Sequence, residues 1–285
     1  MRAAHGWLAV MFAVLTGAIP ANAAPARIVS TFLCTDEYVF RLVPRERIAA
    51  LSYDAADRSV STIEGRVTEI PGIQPTTETV LNYKPDLVVM YAGTKPRLHA
   101  QLAEIGVPIL DVPWANSLSD IRRVTRMLAG RFGARDKGEE LLAEMDRTLA
   151  AARARAVHPP VSAILYETNG YASAGSVADE LMGIAGLGDV APKLGLNRLD
   201  RIPLEAIVAS APELLVMNGD ESVRDAEGSL LLHHPALATL KDRTLIAWRP
   251  LKTLLCPGPW SAEAATTFAD LGLKARALAR ARLEN

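Results

Sequence analysis

Short apolar runs alternate with amphipathic stretches along most of this chain. Runs apolar on both faces predict strands, and stretches with apolar residues every three or four positions predict helices. The predicted strands are residues 26–33, 48–51, 86–91, 107–112, 162–166, 213–218 and 244–248, and the predicted helices include 97–105, 119–132, 179–185 and 261–282. Buried strands that alternate with helices are typical of parallel sheets covered on both faces. The pattern therefore predicts an α/β fold.

An internal repeat divides the chain. Residues 78–90 align without gaps to residues 205–217, at a constant offset of 127 residues. Each copy begins with an acid, Glu78 or Glu205, continues through a proline followed by a second acid, and ends in an apolar run. This order predicts a short helix, a turn and a buried strand. Two such copies predict two lobes of similar construction.

A helical segment separates the two copies. Leu142, Met145, Leu149 and Ala152 recur at helical spacing, and no proline interrupts the sequence before Pro159. A helix of about 20 residues is roughly 30 Å long. The predicted organisation is two Rossmann-like lobes with parallel sheets, residues 24–134 and 158–285, joined by one long connecting helix at 135–157. A ligand cleft is expected between the lobes.

The first 23 residues have the pattern of a secretory signal peptide. One positive charge precedes an apolar stretch, and Ala21-Asn22-Ala23 is typical of a signal peptidase site. The apolar stretch is shorter than the roughly 20 residues that a spanning helix needs, although a retained membrane anchor is the alternative. Cys34 follows no lipobox, so lipid attachment is not expected. We predict a soluble, monomeric protein in the periplasm.

Composition excludes some functions. The 31 basic and 32 acidic side chains give a net charge of −1, which does not suit a protein that binds nucleic acid through phosphates. The chain lacks the common hydrolase, metalloprotease, P-loop and dinucleotide signatures, so no catalytic residue and no cofactor are predicted. A periplasmic enzyme on the same fold remains one alternative. A binding protein for free zinc or manganese is another, but such sites favour several histidines, and the chain has only 5, two of them the adjacent His233 and His234.

Aromatic side chains concentrate in the segments that follow the predicted strands. Ligands of parallel sheets bind beyond the carboxyl ends of the strands, and flat aromatic walls suit a bulky planar ligand. The predicted ligand-binding residues are Cys34, Thr35, Tyr53, Tyr91, Trp114, Tyr166, Asn218, Arg249 and Trp260.

The order of several short motifs resembles a known family. The motifs are Arg27-Ile-Val-Ser30, Lys84-Pro-Asp-Leu-Val-Val89, Gly106-Val-Pro-Ile109, Leu204-Glu205 with Pro212-Glu213, and Pro257-Gly-Pro259. Together they resemble the periplasmic substrate-binding proteins of ABC importers that have a single helical connector, across residues 26–283. This family includes the vitamin B12, ferric-siderophore and haem binders.

The resemblance implies a transport function. The chain would capture a bulky metal chelate, with cobalamin favoured and a ferric siderophore or haem next, and deliver it to an ABC importer permease in the inner membrane. Glu78 and Glu205 match the surface carboxylates, one on each lobe, that meet arginines of the permease.

Cys34 and Cys256 are expected in loops beside the cleft. Three interpretations remain open: a disulfide between the lobes, two free thiols, or coordination of a metal or ligand. Export to an oxidising compartment is compatible with the disulfide. Cysteines at these places are not a general feature of the family that the chain resembles.

Overall fold

The computed structural model describes residues 24–167, 170–171, 173–197, 200–219, 235–240 and 242–284. The predicted signal peptide and the pair His233 and His234 lie outside these residues. Among the described residues, no helix has both the length and the apolar composition needed to cross a membrane.

The first lobe is built on a parallel five-stranded sheet. Its strands are β1 (Ile28–Ser30), β2 (Ile48–Ser52), β3 (Gly72–Ile73), β4 (Leu87–Tyr91) and β5 (Ile109–Val112), in the spatial order β3-β2-β1-β4-β5. The helices are α1 (Leu33–Leu42), α2 (Thr77–Asn82), α3 (Pro96–Glu104) and α4 (Leu118–Phe132). Every residue of β1 and β4 is buried, as expected for strands covered on both faces.

The second lobe repeats this plan with four parallel strands. These are β6 (Val161–Tyr166), β7 (Leu187–Asp189), β8 (Leu214–Asn218) and β9 (Leu245–Arg249), in the order β7-β6-β8-β9. The helices of this half are α6 (Val177–Ile184), α7 (Leu204–Ser210), α8 (Pro235–Ala238), α9 (Lys252–Leu255) and α10 (Ala262–Glu284). The two parallel sheets with covering helices confirm the predicted α/β fold class.

The sequence repeat occupies equivalent places in the two sheets. β4 pairs with β1 and β5, and β8 pairs with β6 and β9. The residues before the two repeat prolines, Lys84 and Ala211, both adopt left-handed backbone, with φ of 47° and 40°. The acids that follow also act alike: Asp86 accepts a hydrogen bond from the Arg27 backbone N–H, and Glu213 accepts one from the Ser162 N–H, each at 2.9 Å. Each acid thereby ties its own strand to the start of the neighbouring one.

The predicted connecting helix corresponds to α5 (Arg135–Ala154). Its buried face carries Leu142, Met145, Leu149 and Ala152, and it packs on α4 and α10. One continuous hydrophobic cluster runs from the first sheet through this face to the second sheet. The limits 24–134 and 158–285 for the two lobes stay predictions.

Two features of the fold were missed in the sequence. β3 and β7 contain only two and three residues, too few to show a periodic pattern. Leu33 was expected at the end of a strand and Cys34 in a loop beside the cleft, but both lie in α1. β1 is only three residues long, and α1 follows it with no side-chain cap at Phe32, so no local signal marks the boundary. Cys34 and Thr35 consequently lie in the first turn of a helix, which corrects their predicted place in a loop.

Close packing of α4 on α5 depends on Gly138. A Cβ at this position would lie 2.5 Å from the Cβ of Ala129. We expect Gly138→Ala to reduce the free energy of unfolding by about 1–3 kcal/mol, as overpacking does, despite the better helix propensity of alanine. Urea denaturation measures this change. Gly183→Ala in α6 is the matched control, because no atom lies within 4 Å of its added Cβ. Equal stability of the two variants would contradict tight packing at Gly138.

Candidate functional site

Three aromatic rings form a ladder along the carboxyl edge of the first sheet. Phe32 follows β1, Tyr91 ends β4 and Trp114 follows β5, and these strands are neighbours. The rings of Phe32 and Tyr91 stack with centroids 5.5 Å apart, and the Trp114 ring meets Tyr91 edge-on at 4.3 Å. The indole N–H of Trp114 donates to the Ala92 carbonyl at 3.0 Å. Tyr91 is 2% exposed, but Trp114 is 50% exposed, so the aromatic ladder presents to solvent an indole whose position is fixed.

Tyr53 extends this edge of the sheet. It opens a short 3-10 turn, Tyr53–Ala56, that follows β2 directly, and its side chain is 52% exposed. Beneath it, the carboxylate of Asp36 accepts hydrogen bonds from the backbone N–H and the hydroxyl of Ser52. Asp36 thus fixes the residue from which the Tyr53 turn begins.

Asp36 is a fully buried acid. Desolvation by burial raises its pKa to about 7, against the lowering effect of hydrogen bonds from Ser30 and Ser52, and the nearby charge of Asp54 raises the pKa further. The neutral form of this carboxyl is therefore favoured in the folded protein at mildly acidic pH.

The second lobe presents a polar pair at its carboxyl edge. Glu167 follows β6 and Asn218 ends β8. The amide nitrogen of Asn218 donates to the Glu167 carboxylate, and its amide oxygen accepts from the Leu251 N–H at 2.9 Å. Burial raises the pKa of Glu167, and the hydrogen bond from Asn218 partly opposes this. Arg249, at the end of β9, is exposed and donates to the Trp248 carbonyl.

This polar pair occupies the place that aromatic rings occupy in the first lobe. Tyr91 and Asn218 are separated by the repeat offset of 127 residues. The strand pairing Ile28 to Leu87 in the first sheet matches the pairing Ala163 to Leu214 in the second. Ile28 and Ala163 are therefore equivalent, and four residues further along the chain are Phe32 and Glu167, which are equivalent in turn. An aromatic stack in one lobe thus corresponds to a carboxyl–amide hydrogen bond in the other.

A buried joint connects the first lobe to the segment between β9 and α10. Cys34 and Cys256 form a disulfide, with Cα atoms 4.8 Å apart. Next to it, Trp260 packs edge-on against Tyr38 at 4.9 Å and lies under the guanidinium of Arg41 at 4.2 Å. The Trp260 indole N–H donates to the Cys256 carbonyl at 2.9 Å. We call this group of five residues the joint.

The joint changes the interpretation of several predicted site residues. Of the three alternatives for the cysteines, the structure contains the disulfide. Trp260 is 7% exposed and has interior partners, so it is not part of the cleft surface here. Thr35 is fully buried and bonds to the Ser30 hydroxyl, and Tyr166 is 5% exposed. Trp260 was expected in the cleft because it follows β9, whereas its partners Tyr38 and Arg41 are remote in sequence.

Other predicted residues do lie at the two carboxyl edges. Tyr53, Tyr91 and Trp114 line the first, and Asn218 and Arg249 lie at the second. Sequence reasoning missed Phe32 and Glu167, although they follow β1 and β6, the first strands of the two sheets in chain order.

Three further polar contacts connect the halves of the chain. The Lys252 ammonium, in α9, donates to the Arg58 carbonyl and lies 3.8 Å from the Glu64 carboxylate. The backbone N–H of Leu118 donates to the Glu180 carboxylate at 3.2 Å. With the joint, these contacts hold the two carboxyl edges in one arrangement.

Possible metal ligands are scattered in the described ranges. No group of three or more His, Cys, Asp and Glu side chains suited to a metal ion occurs among the residues that the structure describes. His99, on α3, hydrogen bonds to Asp111 at 3.0 Å.

Glu78 and Glu205 occupy corresponding surface positions. Each lies in the first turn of its repeat helix, α2 or α7, and each is exposed. Neither side chain has a hydrogen bond or ion pair within the part of the chain that the structure describes. Both carboxylates are thus available to a partner.

Sequence comparison identifies the family. The family described as periplasmic binding protein matches residues 43–247, more than half of the chain. The chain belongs to the periplasmic binding protein family. A search of curated protein sequences gave no significant match.

Solved structures of other periplasmic binding proteins share this fold. A periplasmic haem-binding protein from Roseiflexus sp. RS-1 is 24% identical, with a TM-score of 0.66 over 87% of this chain and 98% of that one. A periplasmic vitamin B12 binding protein of Vibrio cholerae is 17% identical, with a TM-score of 0.64 over 89% and 98%. A periplasmic binding protein from Veillonella parvula is 18% identical, with a TM-score of 0.70 over 88% and 92%. At these identities the likeness establishes the fold.

The pKa of Asp36 leads to a pH-dependent stability of this periplasmic binding protein. The folded pKa of about 7 lies above the ordinary value of 3.8, so the folded state holds this proton more tightly than the unfolded state. The resulting stabilisation is complete below about pH 4 and is lost as the pH rises to about 7, by up to roughly 4 kcal/mol. Asp36→Asn should remove this loss, so the variant should gain stability relative to wild type between pH 4.5 and 7.5. Urea denaturation at both pH values measures the difference; a difference independent of pH would contradict the assignment.

Proposed function

We propose that this protein captures a bulky, flat metal chelate between its two lobes and delivers it to the permease of an ABC importer. The observation that carries the proposal is the half-exposed indole of Trp114, which packs on Tyr91, which in turn stacks on Phe32. A rigid aromatic surface binds a flat ring by stacking and loses little conformational entropy when it does so. Tyr53 adds a second exposed ring to the same edge.

The opposite edge supplies polar groups. Glu167, Asn218 and Arg249 can make hydrogen bonds to the substituents of a ligand that lies on the aromatic edge. Pockets for small molecules generally combine apolar walls with a few fixed polar groups of this kind. The difference between the lobes therefore favours a ligand with a flat face and a polar periphery.

A tetrapyrrole has this form. We place a corrinoid such as cobalamin first, because the carboxylates of haem would favour a denser cluster of cations than Arg58, Lys95 and Arg249 provide. Haem and ferric siderophores are the other candidates. The solved relatives named for vitamin B12 and for haem support this class of ligand without separating its members.

Delivery would depend on Glu78 and Glu205. One exposed carboxylate on each lobe, at equivalent places of the repeat, suits a partner with two similar subunits, each offering arginines. Export through a cleaved signal peptide at residues 1–23 would place the protein in the periplasm, where such a permease is reached.

Removing the exposed indole tests the ligand site. Trp114→Ala should weaken binding of the true ligand by about 1–3 kcal/mol and change the free energy of unfolding much less, because half of the side chain faces solvent. Titration with cobalamin, haem and ferric siderophores measures binding, and thermal denaturation measures stability. Leu273→Ala is the control. This side chain is 43% exposed, much like that of Trp114, but it lies on α10, which contributes no residue to the aromatic ladder. Unchanged binding by Trp114→Ala would contradict the proposed site.

Charge reversal tests delivery. The double variant Glu78→Arg, Glu205→Arg should bind ligand normally and fail to support uptake, because it would bring positive charge against permease arginines. Uptake by cells with matched periplasmic levels of each variant is the measurement. Glu104→Arg changes an exposed acid at the carboxyl end of a different helix, α3, and this variant should transport normally. Normal uptake by the double variant would leave Glu78 and Glu205 without a docking function.

A further inference from the structure

A second cavity lies outside the cleft. It has a volume of about 500 Å³, and its walls come from the first lobe, from α5 and from the start of α10. Ile48, the first residue of β2, lines it. The cavity therefore opens at the amino edge of the first sheet, whereas the cleft lies at the carboxyl edge. Trp260 of the joint contributes to its wall.

Apolar side chains form the body of this cavity. Phe40 from α1, Leu141 and Met145 from α5, and the Trp260 ring line it. All four belong to the hydrophobic cluster that passes between the sheets or pack against it. The cavity thus offers an apolar surface next to the elements that connect the lobes.

Cations line the first-lobe side of the cavity, and two of them lack a carboxylate partner. Arg41 bonds to the buried carboxylate of Glu37, which compensates its charge. By contrast, Arg45 is half-buried, and its guanidinium has no hydrogen bond or ion pair within the described ranges. Arg66 lies 4.7 Å over the Phe40 ring and has no ion pair within the same residues. A half-buried guanidinium without a counter-charge favours an anion beside it.

The remaining charges face the opposite side. Lys137 lines the cavity but pairs with Glu140 at 2.8 Å. Glu144 and Glu263 come from α5 and α10, and both are exposed, as Arg66 is, so water solvates all three side chains. Among the described charges of the lining, Arg45 therefore combines partial burial with the absence of a carboxylate partner, and the exposed Arg66 lies on the same side.

We propose that this cavity is a second binding site, which takes a small organic anion with an apolar body. The carboxylate or phosphate of the ligand would bond to Arg45 and Arg66, and its apolar body would lie against Phe40, Leu141 and Trp260. This site does not depend on the identity of the ligand in the cleft. Because its walls include both the first lobe and the connecting elements, an occupant contacts both.

Two isosteric probes that differ in charge test the proposal on the purified wild-type protein. Isothermal titration should show saturable binding of N-acetyl-phenylalanine, an apolar carboxylate, and at least about tenfold weaker binding of N-acetyl-phenylalanine amide, which is neutral. Added salt should weaken binding of the carboxylate. Absence of saturable binding by the carboxylate, or equal binding of the two probes, would overturn the proposal from measurements on the wild-type protein alone.

Variants then locate the site. Arg45→Gln should weaken binding of the carboxylate about tenfold, as loss of a charge-assisted hydrogen bond does. Arg280→Gln, which removes an exposed arginine of α10, should bind it like wild type. Both variants should bind cobalamin, haem and ferric siderophores as wild type does. A negative result for the second site is therefore distinct from a negative result for the cleft. Unchanged binding of the carboxylate by folded Arg45→Gln would place it elsewhere and overturn the site.

Discussion

The packing of Trp260 between Tyr38 and Arg41, locked by the neighbouring Cys34–Cys256 disulfide, is the interaction on which the arrangement of the lobes depends. It fastens α1 to the segment that enters α10. The disulfide joins residues separated by 222 positions, and a cross-link of that length stabilises by about 5 kcal/mol in the chain-entropy model. The helix α5 makes the second connection, and one hydrophobic cluster passes through both. Two lobes connected in this way keep their carboxyl edges in a defined relation.

The two lobes carry different side chains at equivalent positions. The stacked rings of Phe32 and Tyr91 support an exposed indole in the first lobe. At the same places the second lobe carries Glu167 and Asn218, joined by a hydrogen bond and tied to Leu251. The scaffold is repeated, and the residues at the strand ends make this edge aromatic in the first lobe and polar in the second. A single ligand with a flat face and a polar periphery would use both.

Patterns local in sequence predicted the elements that depend on local interactions. The strands around Leu87 and Leu214 and the long helix with Met145 follow from apolar patterning, and the repeat follows from the constant offset of 127 residues between its copies. α1 did not, because it begins without a capping side chain directly after a three-residue strand. The place of Trp260 was also wrong, since packing on Tyr38 and Arg41 depends on contacts between distant segments. Proximity to a strand end could suggest Tyr91 and Trp114, but it could not tell a cleft surface from a buried joint.

A crystal structure of the protein with its transported ligand would test this account most directly. We expect the flat face of the ligand to lie on Trp114 and near Tyr53, its polar periphery to face Glu167, Asn218 or Arg249, and the joint to be unchanged. A ligand bound away from the aromatic ladder, or a joint opened to admit it, would contradict the account.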